Sequence, residues 1–337
     1  MTTVACPACA ATAAHRPFRS FTAQEAAQHF VLAQEYPQRH EELVHAIRRL
    51  WQADQCQMLE CQQCGLGFAH PFVGGDAEFY NLAYPFSDYP KDKWEFRRTL
   101  AELNKSDCQG RQALEIGSGF GYFLSQISPS LFRPENVTAI EYNDTARARL
   151  VAAGYKALGV DVRSPALASV VGEMDFVFLF QVLEHLSGLD ELMARFSQMM
   201  RPAASLFIAV PNQRQMNFNE EQGSLCDMPP NHISRWTPEA LKVFANRNGF
   251  ALQACELEPS NWRAFMRQDL VYAHMRRSQT PGTLANRVRS AARGPKRKGA
   301  EALVALCALP GRLPTWWRAG QDPAVRPNSL WARLTRR

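Results

Sequence analysis

The sequence predicts an α/β fold, a mostly parallel sheet with helices on both of its faces. Three observations predict it. Between residues 106 and 259, strand-like and helix-like segments alternate. The strand-like segments are apolar almost throughout rather than at every second position, the mark of strands covered on both sides. The first of them runs directly into a glycine-rich turn, GSGFG (117–121), with a helix-like segment behind it.

The elements follow in order. QALEI (112–116) is a short strand ending at the glycines, and GYFLSQIS starts the next helix. NVTAIE (136–141) is a strand closing on an acid, Glu141. DTARARLVAAG is a helix, with Asp144 placed to cap it and Gly154 to stop it. KALGV is a short strand. MDFVFLFQVLEHL begins as a fully apolar strand and turns helical near Leu183. LDELMARFSQMMRP is a helix and ASLFIAVPN a strand. TPEALKVFANRNGF is a helix with Thr237 at its cap and Pro238 at its first position, where a missing N–H costs nothing. ALQACELE closes the series with another strand.

With 337 residues, 46% of them hydrophobic, the chain can bury a large core, and its length suggests about two domains. It has no run of about 18 apolar residues, so no membrane-crossing helix is expected. MTTVACPACA lacks the basic start and apolar core of a secretory signal. The expected compartment is the cytoplasm, where paired cysteines hold metal more often than they form disulfides. The net charge of +6 hides an asymmetry: residues 260–337 carry 16 Lys and Arg against three acids, Asp269, Glu301 and Asp322. Halves of opposite sign suggest different jobs. Four blocks result: 1–70 with two cysteine pairs around a helical stretch, an aromatic-rich cap or connector at 71–105, the α/β core at 106–259, and a basic extension at 260–337. ARGPKRKG (292–299) is the best linker candidate.

In such sheets ligands bind at the carboxyl ends of the strands. Gly117, Gly119 and Gly121 lack the Cβ that would keep a ligand off the backbone. Glu141, 20 residues after Gly121, can accept both hydroxyls of a ribose. Together they fit an adenosine-ribose ligand. The spacing G-x-G-x-G departs from the dinucleotide fingerprint, and Glu115 would repel a pyrophosphate near the helix N-terminus. No Gly-Lys-Ser/Thr follows, which excludes a phosphate-binding P-loop.

LEIGSGFGYF resembles motif I of class I S-adenosylmethionine (SAM)-dependent methyltransferases. VFLFQVLEHL and RPAASLFIAVPN resemble that family's strand-four and strand-five segments. NHISRWTPEAL resembles a segment just after strand five in small-molecule and sugar methyltransferases. The motifs come in family order over 106–259. The resemblance implies a Rossmann-like, mostly parallel seven-stranded sheet and SAM as cofactor. Glu115 would sit near the sulfonium and amino group, where a carboxylate suits a cation. Gly117, Gly119 and Gly121 would lie against the methionine and ribose portions, and Glu141 would hold the ribose hydroxyls. Asp161, in GVDVRS, would accept from the adenine amino group or simply cap a helix. Gln181 and Val182 would line the methyl-transfer pocket.

Methyl transfer needs a nucleophile aimed at the methyl group, helped by a base of near-neutral pKa. His232, in the loop PPNHISRW expected over the substrate mouth, is the candidate base or substrate contact. His185, in LEHL, either joins it or stands behind the pocket as a structural histidine; Glu184 could pair with either. CPAC (Cys6, Cys9) and CQQCG (Cys61, Cys64) can each wrap two thiolates round one Zn²⁺, and two such knuckles complete a tetrahedral site. The 51 residues between them are long for a ribbon, but loop closure costs little per added residue. With four protein ligands the zinc would be structural. Cys56, Cys108, Cys226, Cys255 and Cys307 read as ordinary thiols. A two-knuckle ribbon fused to such a core resembles enzymes that methylate nucleotide sugars or cell-surface glycans.

FYNLAYPFSDY places Phe79, Tyr80, Tyr84, Phe86 and Tyr89 either in a lid with tyrosine hydroxyls near the acceptor or in a packed connector. The basic extension, with Trp316 and Trp317, suits peripheral docking on an anionic inner membrane surface, a protein partner, or plain terminal packing. Nucleic acid is disfavoured, because the core is acidic and the tryptophans follow proline turns. The expected function is SAM-dependent methylation of a small-molecule acceptor, a sugar or glycan-related hydroxyl or carbon. The alternatives are a quinone-like or lipid-linked acceptor, and a non-catalytic SAM-fold scaffold binding partners through ribbon and tail. The intact glycines, Glu115 and Glu141 argue against the scaffold.

Overall fold

The computed structural model describes residues 4–12, 15–84, 90–280, 282–291, 304 and 309–337. The linker candidate 292–299, Phe86, Tyr89 and Cys307 lie outside the described residues. The chain starts with β1 (His15–Thr22), α1 (Ala23–Phe30), α2 (Pro37–Trp51), β2 (Gln55–Cys61) and β3 (Gly67–His70). Thr22 and Glu25 close a capping box that begins α1. In α2, Leu43, Val44, Ile47 and Trp51 recur on one buried face. The expected helical insertion between the cysteine pairs is present, and strands flank it: β1 pairs antiparallel with β2, and β2 with β3. Next come α3 (Ala77–Ala83), capped by Asp76, and α4 (Trp94–Leu103).

The α/β part continues with β4 (Ala113–Ile116), α5 (Leu124–Ile127), β5 (Val137–Ile140), α6 (Asp144–Ala152), β6 (Lys156–Leu158), β7 (Met174–Phe180), α7 (Leu189–Met199) and β8 (Met200–Pro211). It ends with α8 (Gln213–Glu221), β9 (Ser234–Arg235), α9 (Pro238–Arg247), β10 (Phe250–Leu257), α10 (Trp262–Gln279), α11 (Leu284–Ala291), α12 (Leu313–Gln321) and β11 (Ser329–Arg336). Seven of these strands form one sheet in the order β10-β11-β8-β7-β4-β5-β6. The strands from β4 to β8 pair in parallel; β11 alone runs antiparallel to its neighbours. Thr237 and Pro238 start α9 as read. The cap of α6 is Asn143 rather than Asp144: its side chain accepts from the Ala146 N–H, the third residue on.

Alternation along the central strands builds two cores. Val177 and Leu179 of β7 join Leu192 and Phe196 of α7 and Leu241 and Phe244 of α9 on one face. Phe178 and Phe180 join Phe96 of α4, Leu124 of α5 and Leu150 of α6 on the other. Helices therefore cover both faces.

One boundary needs correction. The core does not stop at residue 259, and 260–337 is not merely a basic extension. SLWARLTR has a two-faced apolar pattern, and as β11 it buries Leu330, Ala332 and Leu334 in one core and Trp331 in the other. An antiparallel strand needs no crossover helix, so the chain can return from α12 and lie between β8 and β10. Residues 1–70 are also joined to the core. β9, from inside the core, completes the small sheet β1-β2-β3-β9 by pairing Gly67 with Arg235 and Phe68 with Ser234. One apolar cluster runs from Cys6, Cys64 and Phe68 through Trp236 to α9. No described helix is long and apolar enough to cross a membrane.

Candidate active site and cysteine cluster

Strand order reverses at β4: the chain proceeds to β5 and β6 on one side, then to β7 and β8 on the other. Ligands bind at such a switch point, beyond the carboxyl ends of the strands. The loops leaving β4 and β7 touch there. A Cβ on Gly117, whose φ is +72°, would lie 2.6 Å from Val182 Cγ2, so this approach requires glycine. Gly121 is as tight against Leu150, at 2.7 Å. The Gly119 N–H donates to Glu141 Oε2 at 2.7 Å, and the Asn143 N–H to Oε1 at 2.8 Å. Both Glu141 oxygens are thereby fixed beside the glycine turn.

Glu115 is buried within β4, and its Oε2 meets no hydrogen-bond partner. Burial pushes its pKa well above the usual carboxylate value, because the charged form has lost its water. Asp161 is exposed; Oδ1 accepts the Arg163 N–H at 2.7 Å, and Oδ2 lies 3.4 Å from the Tyr142 hydroxyl. Gln181 adopts a left-handed backbone, φ +57°, uncommon for a residue with a side chain. Its amide donates to Glu95 Oε1 (3.1 Å) and Ser329 Oγ (3.2 Å). Val182 is the residue whose side chain stands against Gly117.

Beyond Val182 the chain makes one 3₁₀ turn, Leu183–His185. The Ile233 N–H donates to the Glu184 carbonyl and the Ala69 N–H to the Ile233 carbonyl, both at 2.8 Å. The loop carrying His232 is thus stitched to this turn and to β3. The rings of His185 and His232 meet edge to face, with centroids 4.6 Å apart. His185 Nδ1 donates to the Asn231 carbonyl at 2.6 Å, with the Tyr80 hydroxyl 3.0 Å away. His232 Nδ1 lies 3.0 Å from Asp227 Oδ1. Glu184 is completely buried; its Oε1 stands 3.8 Å from His185 Nε2, and neither of its oxygens has a hydrogen-bond partner.

The environments separate the two histidines. Burial, aided by the charge of His232, pushes His185 down to about 3 and keeps it neutral. Burial works the same way on His232, but Asp227 and then Glu184 outweigh it and hold its pKa above the ordinary histidine value. Burial raises Glu184 to about 7. Asp227 is partly buried, which raises it, yet His232 and Arg235 keep it below its usual value. Arg235, fully buried, closes the loop's far end with two bonds to Glu220 (2.9 and 3.0 Å) and one to Asn217 Oδ1 (2.7 Å).

Asp227, Asn231 and the Arg235–Glu220 pair were not sequence candidates. Asp227 had one signal, an acid five residues before His232 in the proline-braced CDMPPNH. The aromatic segment divides: Phe79 is buried in the N-terminal core, whereas Tyr80 reaches His185.

The cysteines converge at one end of the small sheet, where the start of β1 pairs with the end of β2 through His15 and Cys61. Cys6 Sγ is 3.6 Å from Cys64 Sγ, and Cys9 Sγ is 3.6 Å from Cys61 Sγ. All four sulfurs lie within 4.8 Å of one another. A tetrahedron with Zn–S bonds of about 2.3 Å has edges of about 3.8 Å, so the spacing suits one tetrahedral ion with no open position.

Residues 91–254 match the family model described as a methyltransferase domain. No curated protein matches the chain. Among solved structures, a SAM-dependent methyltransferase from Archaeoglobus fulgidus is similar at 16% identity and a TM-score of 0.44, over 77% of this chain and 100% of that one. One from Mesorhizobium loti is similar at 14% identity and a TM-score of 0.44, over 73% and 100%. Phosphoethanolamine N-methyltransferase 2 of Haemonchus contortus, solved with SAM, is similar at 15% identity and a TM-score of 0.42, over 71% of this chain and 52% of that one.

Proposed function

We propose that the chain transfers the methyl group of SAM to a small-molecule acceptor, a sugar or glycan-related hydroxyl or carbon, in the space between the glycine turn and the His232 loop. The observation that carries this reading is the contact of Val182 with Gly117. It sets Glu184 and His185, two and three residues further on, beside the turn that would hold the cofactor. Glu115 would then meet the cationic methionine end, Glu141 the ribose hydroxyls and Asp161 the adenine amino group. For a hydroxyl acceptor, the O–CH₃ bond forms as the S–CH₃ bond breaks, and the hydroxyl proton passes to His232 Nε2. Asp227 keeps the other proton on Nδ1 and stabilises the imidazolium. His185, neutral and tied to Asn231, orients the acceptor. The four cysteines would hold one structural Zn²⁺.

The test is SAM titration by calorimetry, then turnover with a panel of sugar nucleotides. Wild type should bind SAM, and absence of binding would sink the enzyme reading. His232→Ala should keep that affinity and lose about 10²–10⁴-fold in turnover; unchanged turnover removes His232 as the base. After mild chelation, metal analysis should find about one zinc per chain, lost in Cys61→Ser. Metal content unaffected by that change ends the cysteine-site reading. A lipid-linked acceptor is the second reading, favoured by the exposed Leu313 and Trp317 on α12. It requires vesicle-borne acceptors to be methylated in preference to soluble ones.

A further inference from the structure

We propose that Glu184, His185 and His232 form a binding site for a divalent first-row transition ion, distinct from the four cysteines. Their three ligand atoms lie within 4.8 Å of one another. A four-coordinate ion with bonds of about 2.1 Å spaces its ligands by about 3.4 Å, so side-chain shifts of about 1 Å close the set.

The hydrogen bonds around the cluster leave the correct atoms available. The Asn231 carbonyl can only accept, so His185 carries its proton on Nδ1 and presents a lone pair at Nε2. The Asp227 carboxylate lies 3.0 Å from His232 Nδ1, close enough to favour the proton there although the pair is not aligned as a hydrogen bond. Ligating histidines are oriented by a carbonyl or carboxylate on their second nitrogen. The independent observation is Glu184. It is wholly buried, and both its oxygens are without hydrogen-bond partners. An unpartnered buried carboxylate is costly, and a dication between it and the two imidazole lone pairs removes that cost. The two histidine side chains remain 23% and 14% exposed, so an ion has a way in.

Two imidazoles and one carboxylate suit Mn²⁺, Fe²⁺ or Zn²⁺ better than Mg²⁺, which prefers an all-oxygen shell. Three protein ligands leave at least one position open. The proposal rests on the methyl-transfer reading only in naming the acceptor hydroxyl as its occupant. There the ion would acidify the hydroxyl, whose proton would leave to bulk water before the O–CH₃ bond forms; His232 would then act as a ligand, and this route would replace its role as base.

The test uses the full chain with its cysteines zinc-loaded and Mn²⁺ as the probe, because Mn²⁺ does not displace zinc from thiolates. Bound Mn²⁺ is read by the loss of its free-ion paramagnetic resonance signal, and calorimetric SAM affinity reports that each variant is folded. One Mn²⁺ per chain should bind, about 10–100-fold more weakly in Asp227→Asn, and binding should be lost in Glu184→Gln, with SAM affinity retained in both. No Mn²⁺ or Zn²⁺ uptake beyond the thiolate zinc overturns the site, as does unchanged uptake in Glu184→Gln. Uptake that leaves turnover of the chelated enzyme unchanged upholds the site and overturns only its place in methyl transfer.

Discussion

The glycine turn and the histidine cluster are linked through Val182, whose side chain stands against Gly117 two residues before Glu184, yet they are built in opposite ways. The turn is local. Glu115, the three glycines and Glu141 span one β-α-β unit, and hydrogen bonds from neighbouring backbone N–H groups hold Glu141 in place. The cluster is assembled from distant parts: Tyr80 from α3, Glu184 and His185 from the end of β7, Asp227 and His232 from the loop before β9. Its integrity depends on what fastens that loop to the small sheet. The glycine turn should therefore tolerate damage elsewhere, whereas the histidine cluster should fail when its fastening is cut.

The largest expected effect comes from cutting it. Glu220→Ala leaves the guanidinium of Arg235, fully buried and otherwise bonded to Asn217 alone, without its counter-charge. Removing one partner of a buried pair costs about 3–5 kcal/mol. Denaturant unfolding should show a loss of that size, and the protein that remains folded should bind SAM normally. A loss below about 1 kcal/mol would mean that the loop is held by its packing rather than by this pair.

The opposite perturbation is Glu141→Ala. Hydrogen bonds to a charged group contribute about 1.5–3 kcal/mol. SAM affinity should therefore fall by about 10–100-fold, while Mn²⁺ uptake at the histidine cluster stays at the wild-type level. If both change together, the two halves are coupled through Val182 and the contrast between them fails.

The same contrast explains what could be read before the fold was in view. GSGFG, Glu115 and Glu141 are close in sequence, their order mirrors their order in space, and apolar strands announce themselves by composition. The resemblance put Gln181 and Val182 together just past the end of β7, but where the Gln181 amide bonds depends on Glu95 and Ser329, from α4 and β11. The cysteine pairs were legible from their spacing. β11 was not, because an eight-residue strand after a long basic stretch reads as tail until β8 and β10 leave it a place. Asp227 had only its spacing from His232, and Tyr80 only its place in an aromatic segment that read equally as lid or connector; their partners exist only once the loop before β9 is pinned to β3.

The smallest expected effect sharpens the local half. Glu115→Gln keeps the shape of the side chain and removes its charge. In the folded chain the Glu115 carboxyl has a pKa well above that of the unfolded chain, chiefly through burial, with the charge of Lys93 opposing the rise and that of Glu141 adding to it. A raised folded pKa contributes stability that is fully present below the unfolded value of about 4.3 and is lost as pH rises through the folded value. Without SAM, wild type should lose stability relative to Glu115→Gln as pH climbs through that window, and the two unfolding midpoints should converge at low pH. SAM should reverse the order at neutral pH, because its cationic end favours the carboxylate that burial penalises, and the glutamine variant cannot respond. Parallel stability profiles in the apo protein would show that the carboxyl is not penalised by burial. Equal stabilisation of both proteins by SAM would place the sulfonium and amino group away from Glu115.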